Sequence, residues 1–280
     1  MRSAGRLVVC GAVVAALFVA AAPGAGRADD PAPVPIDSGA AADAVGRRGA
    51  PVQQTPVPPV PPWTDPAWKS GRLTGCVPGR VVRQGDTRGQ KLVTFTFDDG
   101  PDPLYTQPIM DEFERRGLTA TFFLIGRNLR LFPDIGRSIV ERGFAVGNHS
   151  VTHTYVPADI AREVGSANSI IESILGVRTP YFRSPGLVPG RSIDAAVARA
   201  GMCTVSAAAD LGDYLLPRRS PARLCERFAE SLQPGMIALL HDGGGSHAST
   251  VAALPCMLDT ALDRGYSIVS LAELLNSGTP

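Results

Sequence analysis

Three of the four histidines in this 280-residue chain fall in two short strings, Asn148-His149-Ser150-Val151-Thr152-His153 and Leu239-Leu240-His241-Asp242. Upstream of both stands Thr96-Phe97-Asp98-Asp99-Gly100-Pro101. A hydrolytic metal site needs neutral imidazoles and a carboxylate as ligands, with an ionisable base and acid beside them. These strings supply one set of each.

The spacing His149-x-x-x-His153 puts two imidazoles side by side if the segment makes one helical turn. Ser150 stands where a zincin would carry its glutamate base, so the base must come from elsewhere. Asp98 and Asp99 are adjacent carboxylates that can diverge at a strand end. One would then bind the metal and the other would face the attacking water. Gly100-Pro101 imposes a sharp exit that is expected to leave both carboxylates exposed. A solvated histidine pair and an Asp-rich turn are the plainer alternatives, but the apolar lead-in at Phe95 and Phe97 argues against an ordinary surface turn.

Elements of alternating type must position these strings. From Gly71 onward, helix-like stretches end in glycine and a short apolar run follows, with Gly117, Gly143, Gly176, Gly201 and Gly265 at the junctions. Glycine tolerates the left-handed conformation that closes a helix. Ile160, Val164, Ala167, Ile171 and Ile174 share one helical face. Seven runs read as buried strands: Leu118–Ile125, Phe144–Val146, Val177–Phe182, Met202–Ala207 and Tyr266–Leu271, with Leu92–Phe97 and Met236–Leu240 leading into motifs. Strands alternating with helices predict a parallel α/β architecture. A folded length of roughly 200 residues suits a reduced or distorted (β/α) barrel of about seven parallel strands better than an open doubly wound sheet, a choice that periodicity alone does not decide. Asp98-Asp99, His149, Arg183, Asp210 with Asp213, and His241 all fall at or just beyond strand ends. In a parallel barrel those ends open onto one face, so the residues are expected to converge in one pocket.

Composition bounds the rest. Hydrophobic residues make up 44% of the chain and the formal net charge is +1. The core is therefore ample, and no basic stripe marks a nucleic-acid partner. Arg47-Arg48 and Arg218-Arg219 are isolated pairs, read as solvated surface.

Arg2 and Arg6 precede an apolar or small stretch from Leu7 to Ala22, and Pro23-Gly24 follows. Residues 1–28 are read as a secretory signal peptide, in preference to a retained membrane anchor, and no span is expected in the mature protein. Residues 29–72 form a Pro-rich linker unable to bury enough surface to order itself. Trp63 and Trp68 stand at its far end, read as docking the tether rather than stacking on a sugar. The folded domain is placed at 73–280. Cys76, Cys203, Cys225 and Cys256 remain after Cys10 is removed, an even count suited to an oxidising space. Of the three pairings, Cys225 with Cys256 is preferred because both lie early in helix-like segments.

The strings Thr96-Phe97-Asp98-Asp99-Gly100-Pro101, His149-Ser150-Val151-Thr152-His153, Arg183-Ser184-Pro185-Gly186, Asp210-Leu211-Gly212-Asp213-Tyr214 and Leu239-Leu240-His241 resemble the five ordered motifs of the polysaccharide deacetylase family. These are metal-dependent carbohydrate esterases, and the resemblance runs from about Lys91 to Leu275. It implies that Asp99, His149 and His153 bind Zn²⁺ or another divalent ion such as Co²⁺. Asp98 would be the general base, paired with Arg183 that keeps it ionised and oriented. His241 would be the general acid, oriented by Asp213. Leu239 would line the pocket for the acetyl methyl, and a backbone N–H near Gly186 would stabilise the oxyanion. Tyr214 would form part of the substrate wall.

Two departures touch that wall rather than the metal. Ser184 and Gly186 stand where many relatives read Arg-Pro-Pro-Tyr-Gly, and Tyr214 stands where Trp is frequent. His247 matches no motif and is read as a mobile surface histidine. The implied activity is removal of N-acetyl groups from a GlcNAc-containing polysaccharide of peptidoglycan or chitin type. The product is expected to be a secreted or cell-wall monomer. O-deacetylation of xylan is the alternative, and an inactive glycan-binding relative is the reading from another class.

Overall fold

The computed structural model describes residues 76–215 and 220–278. The predicted signal peptide, the linker, both tryptophans and the two arginine pairs lie outside the described residues.

The element order is β1 (Val81–Val82), β2 (Leu92–Asp98), α1 (Thr106–Glu114), β3 (Thr121–Leu124), α2 (Gly126–Leu131), α3 (Pro133–Glu141), β4 (Ala145–Asn148), α4 (Pro157–Leu175) and β5 (Tyr181–Phe182). It continues with a 3₁₀ turn at Pro185–Leu187, α5 (Arg191–Arg199), β6 (Cys203–Val205), β7 (Ala209–Asp210), α6 (Pro221–Ser231), β8 (Met236–His241), α7 (Ala248–Asp263), β9 (Ser267–Ile268) and α8 (Leu271–Asn276). The strands form one sheet in the order β1-β6-β5-β4-β3-β2-β8-β7, with β9 against the start of β2. Every pairing is parallel, as in Asp98 beside His241 between β2 and β8. The result is a curled, distorted (β/α) barrel.

All seven expected strands are present, most of them shorter than the apolar runs that announced them. The structure adds β1 and β7, two-residue strands too short to show a period. Gly176 closes α4 with φ 68°, in the left-handed region predicted for it. On α4, Ile160, Val164, Ala167 and Ile171 are buried, and Ile174 packs against the core.

Period-two alternation divides the sheet into two faces. Val93, Phe95 and Phe97 of β2 join Phe113 of α1, Phe228 of α6 and Leu254 of α7 in the outer core. Phe95 stacks on Phe228 with ring centroids 5.1 Å apart, and Phe97 on Phe122 at 5.3 Å. Phe123 of β3, Val205 of β6 and Ile237 of β8 belong to an inner cluster closed by Leu271 and Leu274 of α8. Thr94, Thr96 and Asp98 have the parity of that inner face, so the strand that builds the core also delivers a carboxylate to the barrel mouth. Truncating a buried phenylalanine such as Phe95 would cost about 3–5 kcal/mol.

Two disulfides are formed. Cys225–Cys256 joins α6 to α7, as preferred from the sequence, and Cys76–Cys203 ties the start of the described chain to β6.

Candidate active site

Asp98 ends β2 and Asp99 follows in a left-handed conformation with φ 75°, so the two carboxylates diverge. The expectation that both would be exposed fails for each: the Asp99 side chain is 13% exposed, and Asp98 is 3% exposed. For Asp98 the cause is Arg183, just beyond β5 and fully buried, which donates from Nη1 to Asp98 Oδ1 at 2.8 Å. The same guanidinium donates to Thr96 Oγ1 at 2.7 Å, Val205 O at 3.0 Å and Ser206 O at 3.2 Å. Its Cζ lies 4.1 Å from the centre of the Phe123 ring. A buried charge needs such a full set of partners, and here they fix the carboxylate in position.

His149 and His153 do face one another, with ring centroids 5.1 Å apart, but on a loop rather than the expected helical turn. Ser150 and His153 both have positive φ, 67° and 61°, which a helix excludes. Asn148 Oδ1 accepts from Ser150 N at 2.9 Å, and Glu163 of α4 accepts from the backbone N–H groups of Val151 and Thr152. Burial would push the Glu163 carboxyl up, but those bonds and the Thr152 hydroxyl hold it below its ordinary value. The loop is thus held from within and from the adjacent helix.

Asp99 Oδ1 is buried with no hydrogen-bond partner, while His149 Nε2 lies 3.3 Å and His153 Nε2 3.2 Å from it. His149 Nδ1 donates to Arg183 O at 2.8 Å, which leaves Nε2 free to offer a lone pair. Burial would push Asp99 up, but the neighbouring imidazoles, His149 first, pull it down. Burial pulls His153 down and favours its neutral ring. For His149 burial is outweighed by Asp98 and Asp99, which raise its pKa. A cation at Nε2 would take the place of that proton. One carboxylate and two imidazoles, with their ligand atoms within 4.8 Å of one another, fit a zinc-like dication with open positions.

The opposite wall carries His241, at the end of β8. Its Nδ1 donates to Asp213 Oδ1 at 2.7 Å, and its backbone N donates to Asp213 Oδ2 at 2.8 Å. Thr250 of α7 adds a third donor to that carboxylate at 2.8 Å. Burial would raise Asp213, yet the bonds from His241, the neighbouring His247 and the His241 charge hold it well below the carboxylate range. Burial would lower His241, yet Asp213 raises its pKa to about 9. With Nδ1 engaged, Nε2 is the nitrogen left for a substrate.

Both walls line one cleft of about 390 Å³ that also takes in Gly186, Tyr214 and Leu239. The structure therefore brings together every residue singled out for the site. Tyr214 donates to Asp210 Oδ2 at 3.1 Å and meets the His241 ring edge-to-face with centroids 5.2 Å apart. Tyr155, which sequence reasoning missed, is 62% exposed and meets His153 edge-on at 5.1 Å. A Cβ at Gly186 (φ 57°) would lie 2.8 Å from the Tyr155 ring, so glycine here makes room for that tyrosine. An aromatic residue two positions after His153 is the signal that could have found it. The reading of His247 is overturned: it is 2% exposed and stacked on His241.

Residues 85–205 match the polysaccharide deacetylase family model. A chitooligosaccharide deacetylase of Bradyrhizobium is 31% identical over 72% of this chain and 100% of its own length. The chain belongs to the polysaccharide deacetylase family. A peptidoglycan-N-acetylglucosamine deacetylase of Bacillus cereus is 32% identical over 66% of this family member and 89% of its own length. Among solved structures, a CE4 family pseudoenzyme of Bacillus anthracis superposes with a TM-score of 0.65 at 25% identity, covering 71% of this chain and 70% of that one. Such a neighbour shows that a polysaccharide deacetylase fold alone does not decide activity. The side chains in the cleft must.

Proposed function

We propose that this protein is a secreted, metal-dependent deacetylase that hydrolyses N-acetyl groups of a GlcNAc-containing polysaccharide of peptidoglycan or chitin type. The observation that carries it is one cleft holding two complete pairs, Asp98 with Arg183 and His241 with Asp213, on either side of Asp99, His149 and His153. The names of the relatives supply the substrate class. Arg2 and Arg6 before the Leu7–Ala22 stretch, with two disulfides in the domain, support export.

A Zn²⁺ or similar dication held by Asp99, His149 and His153 would polarise the acetyl carbonyl and acidify a water beside it. Asp98, held by Arg183, accepts the proton of the attacking water. The Gly186 backbone N–H donates to the oxyanion as the carbonyl carbon becomes tetrahedral. An amine leaves poorly as an anion, so His241 Nε2 protonates the nitrogen as the C–N bond breaks. Acetate and a free glucosamine amine result. Leu239, 2% exposed at the cleft floor, packs against the acetyl methyl.

Acetate release by the protein freed of residues 1–28, with zinc restored, tests this on peptidoglycan, chitooligosaccharides and acetylated xylan in parallel. Release from the first two supports the proposal. Release from xylan alone turns the reading to an O-acetyl esterase. No release from any, with zinc bound, turns it to a glycan-binding relative.

A further inference from the structure

The loop after β8 carries a histidine that the proposed chemistry leaves unused. Gly243 and Gly244 press against Asp99, where a Cβ would come within 2.4 Å of Asp99 O or 2.7 Å of Asp99 Oδ2. That close approach turns the chain back, and His247 enters the wall as the residue preceding α7. Its ring lies nearly parallel to His241, at 16° with centroids 5.8 Å apart, and Tyr105 closes the other side edge-on at 5.8 Å. His247 Nδ1 is buried without a hydrogen-bond partner and points at Asp213 Oδ2 from 3.7 Å.

We propose that His247 is a positioning residue for the reaction, a second imidazole that shares Asp213 with His241 and fixes the ring plane of the acid. The inference rests on the deacetylase reading of the same cleft. Facing a carboxylate, Nδ1 carries its hydrogen, because a lone pair there would be repelled. A general acid must both hold and release its proton. Asp213 strengthens the hold, and a second N–H dipole on the same carboxylate weakens it. Tyr105, Asp213 and His241 face His247; Asp98, Asp99, Asp213, Tyr214 and His247 surround His241. Among the described groups around His241, His247 is the one that carries a ring nitrogen toward Asp213 Oδ2.

His247→Phe keeps the ring and removes the donor, whereas His247→Asn keeps a donor near the Nδ1 position and removes the ring. NMR titration of His241 in the zinc-loaded protein reads the effect without turnover. The His241 pKa is expected to rise by about half a unit or more in the Phe variant and to stay within about 0.2 units in the Asn variant. Turnover of an N-acetyl substrate at neutral pH should then fall about 2-fold in the Phe variant with KM unchanged. Hydrolysis of 4-nitrophenyl acetate, whose leaving group needs no acid, should be unchanged. An unmoved or lowered His241 titration in the Phe variant, or equal losses on amide and ester, would overturn the proposal. Should the Phe variant fail to fold, His247→Leu carries the same expectations. A wild-type protein inactive on every acetylated glycan would sink the deacetylase reading while the titration still judged His247.

Discussion

Arg183 Nη1 and Asp98 Oδ1 meet at 2.8 Å where neither side chain reaches solvent, being 0% and 4% exposed. Breaking a buried pair leaves the remaining charge uncompensated, at a cost of about 3–5 kcal/mol. Arg183→Met should therefore lower unfolding stability by about that amount, as measured by urea denaturation. Asp98→Asn retains polar contacts to the guanidinium and should cost less stability but about 10²-fold or more in kcat. Zinc stoichiometry should survive Asp98→Asn. Loss of metal in that variant would show that Asp98 is a ligand instead.

His241 titrates in the field of Asp213, and the sign of that coupling is testable. Burial alone would lower its pKa, and Asp213 raises it to about 9. A raised histidine contributes stability in full below its unfolded value near 6.5 and loses it as pH rises through about 9. The proposed general acid must be protonated to act, so kcat should fall on the alkaline side, at a pH below 9 when a dication is bound nearby. Asp213→Asn should move that limb down by about one unit or more. A pH profile of kcat on an N-acetyl substrate measures the shift.

Asp242 is buried beneath the Asp98-Asp99 turn, close enough to Gly100 that a Cβ there would lie 2.2 Å from Asp242 Oδ2. Burial first, then repulsion from Asp99, Asp98 and Asp102, raises its pKa to about 8 against the bond from Thr106. A raised carboxyl contributes stability below its unfolded pKa of about 3.9 and loses it progressively up to pH 8. Asp242→Asn should remove this slope, so that wild type loses about 1 kcal/mol or more relative to the variant between pH 5 and pH 9. Denaturation at the two pH values gives the comparison.

The sequence made the candidate site legible because the residue types a hydrolytic metal site would draw on are few and they fell at strand ends. Asp98, His149 and His241 follow apolar runs whose glycine boundaries are local signals. His247 was misread because its burial comes from a glycine loop folded against Asp99, a contact no local pattern records. The helical turn expected at His149–His153 failed because Ser150 and His153 adopt left-handed conformations that depend on Asn148 and Glu163. The exposure expected of Asp98 failed for a similar reason. Its partner Arg183 is 85 residues away in sequence.

The two disulfides close loops of unequal length, 127 residues for Cys76–Cys203 and 31 for Cys225–Cys256. In the chain-entropy model the longer loop stabilises by about 1 kcal/mol more, on a base of roughly 2–4 kcal/mol each. Double serine replacement at Cys76 and Cys203 should thus lower Tm further than replacement at Cys225 and Cys256. Calorimetry of the two variants decides it.

The central claim is that Asp99, His149 and His153 hold a dication on which deacetylation depends. Zinc added back to the metal-stripped protein should bind at one ion per chain, and acetate release should rise in proportion to occupancy. In Asp99→Ala both should be lost together. Full acetate release from the stripped protein, or unchanged zinc binding in Asp99→Ala, would contradict the account.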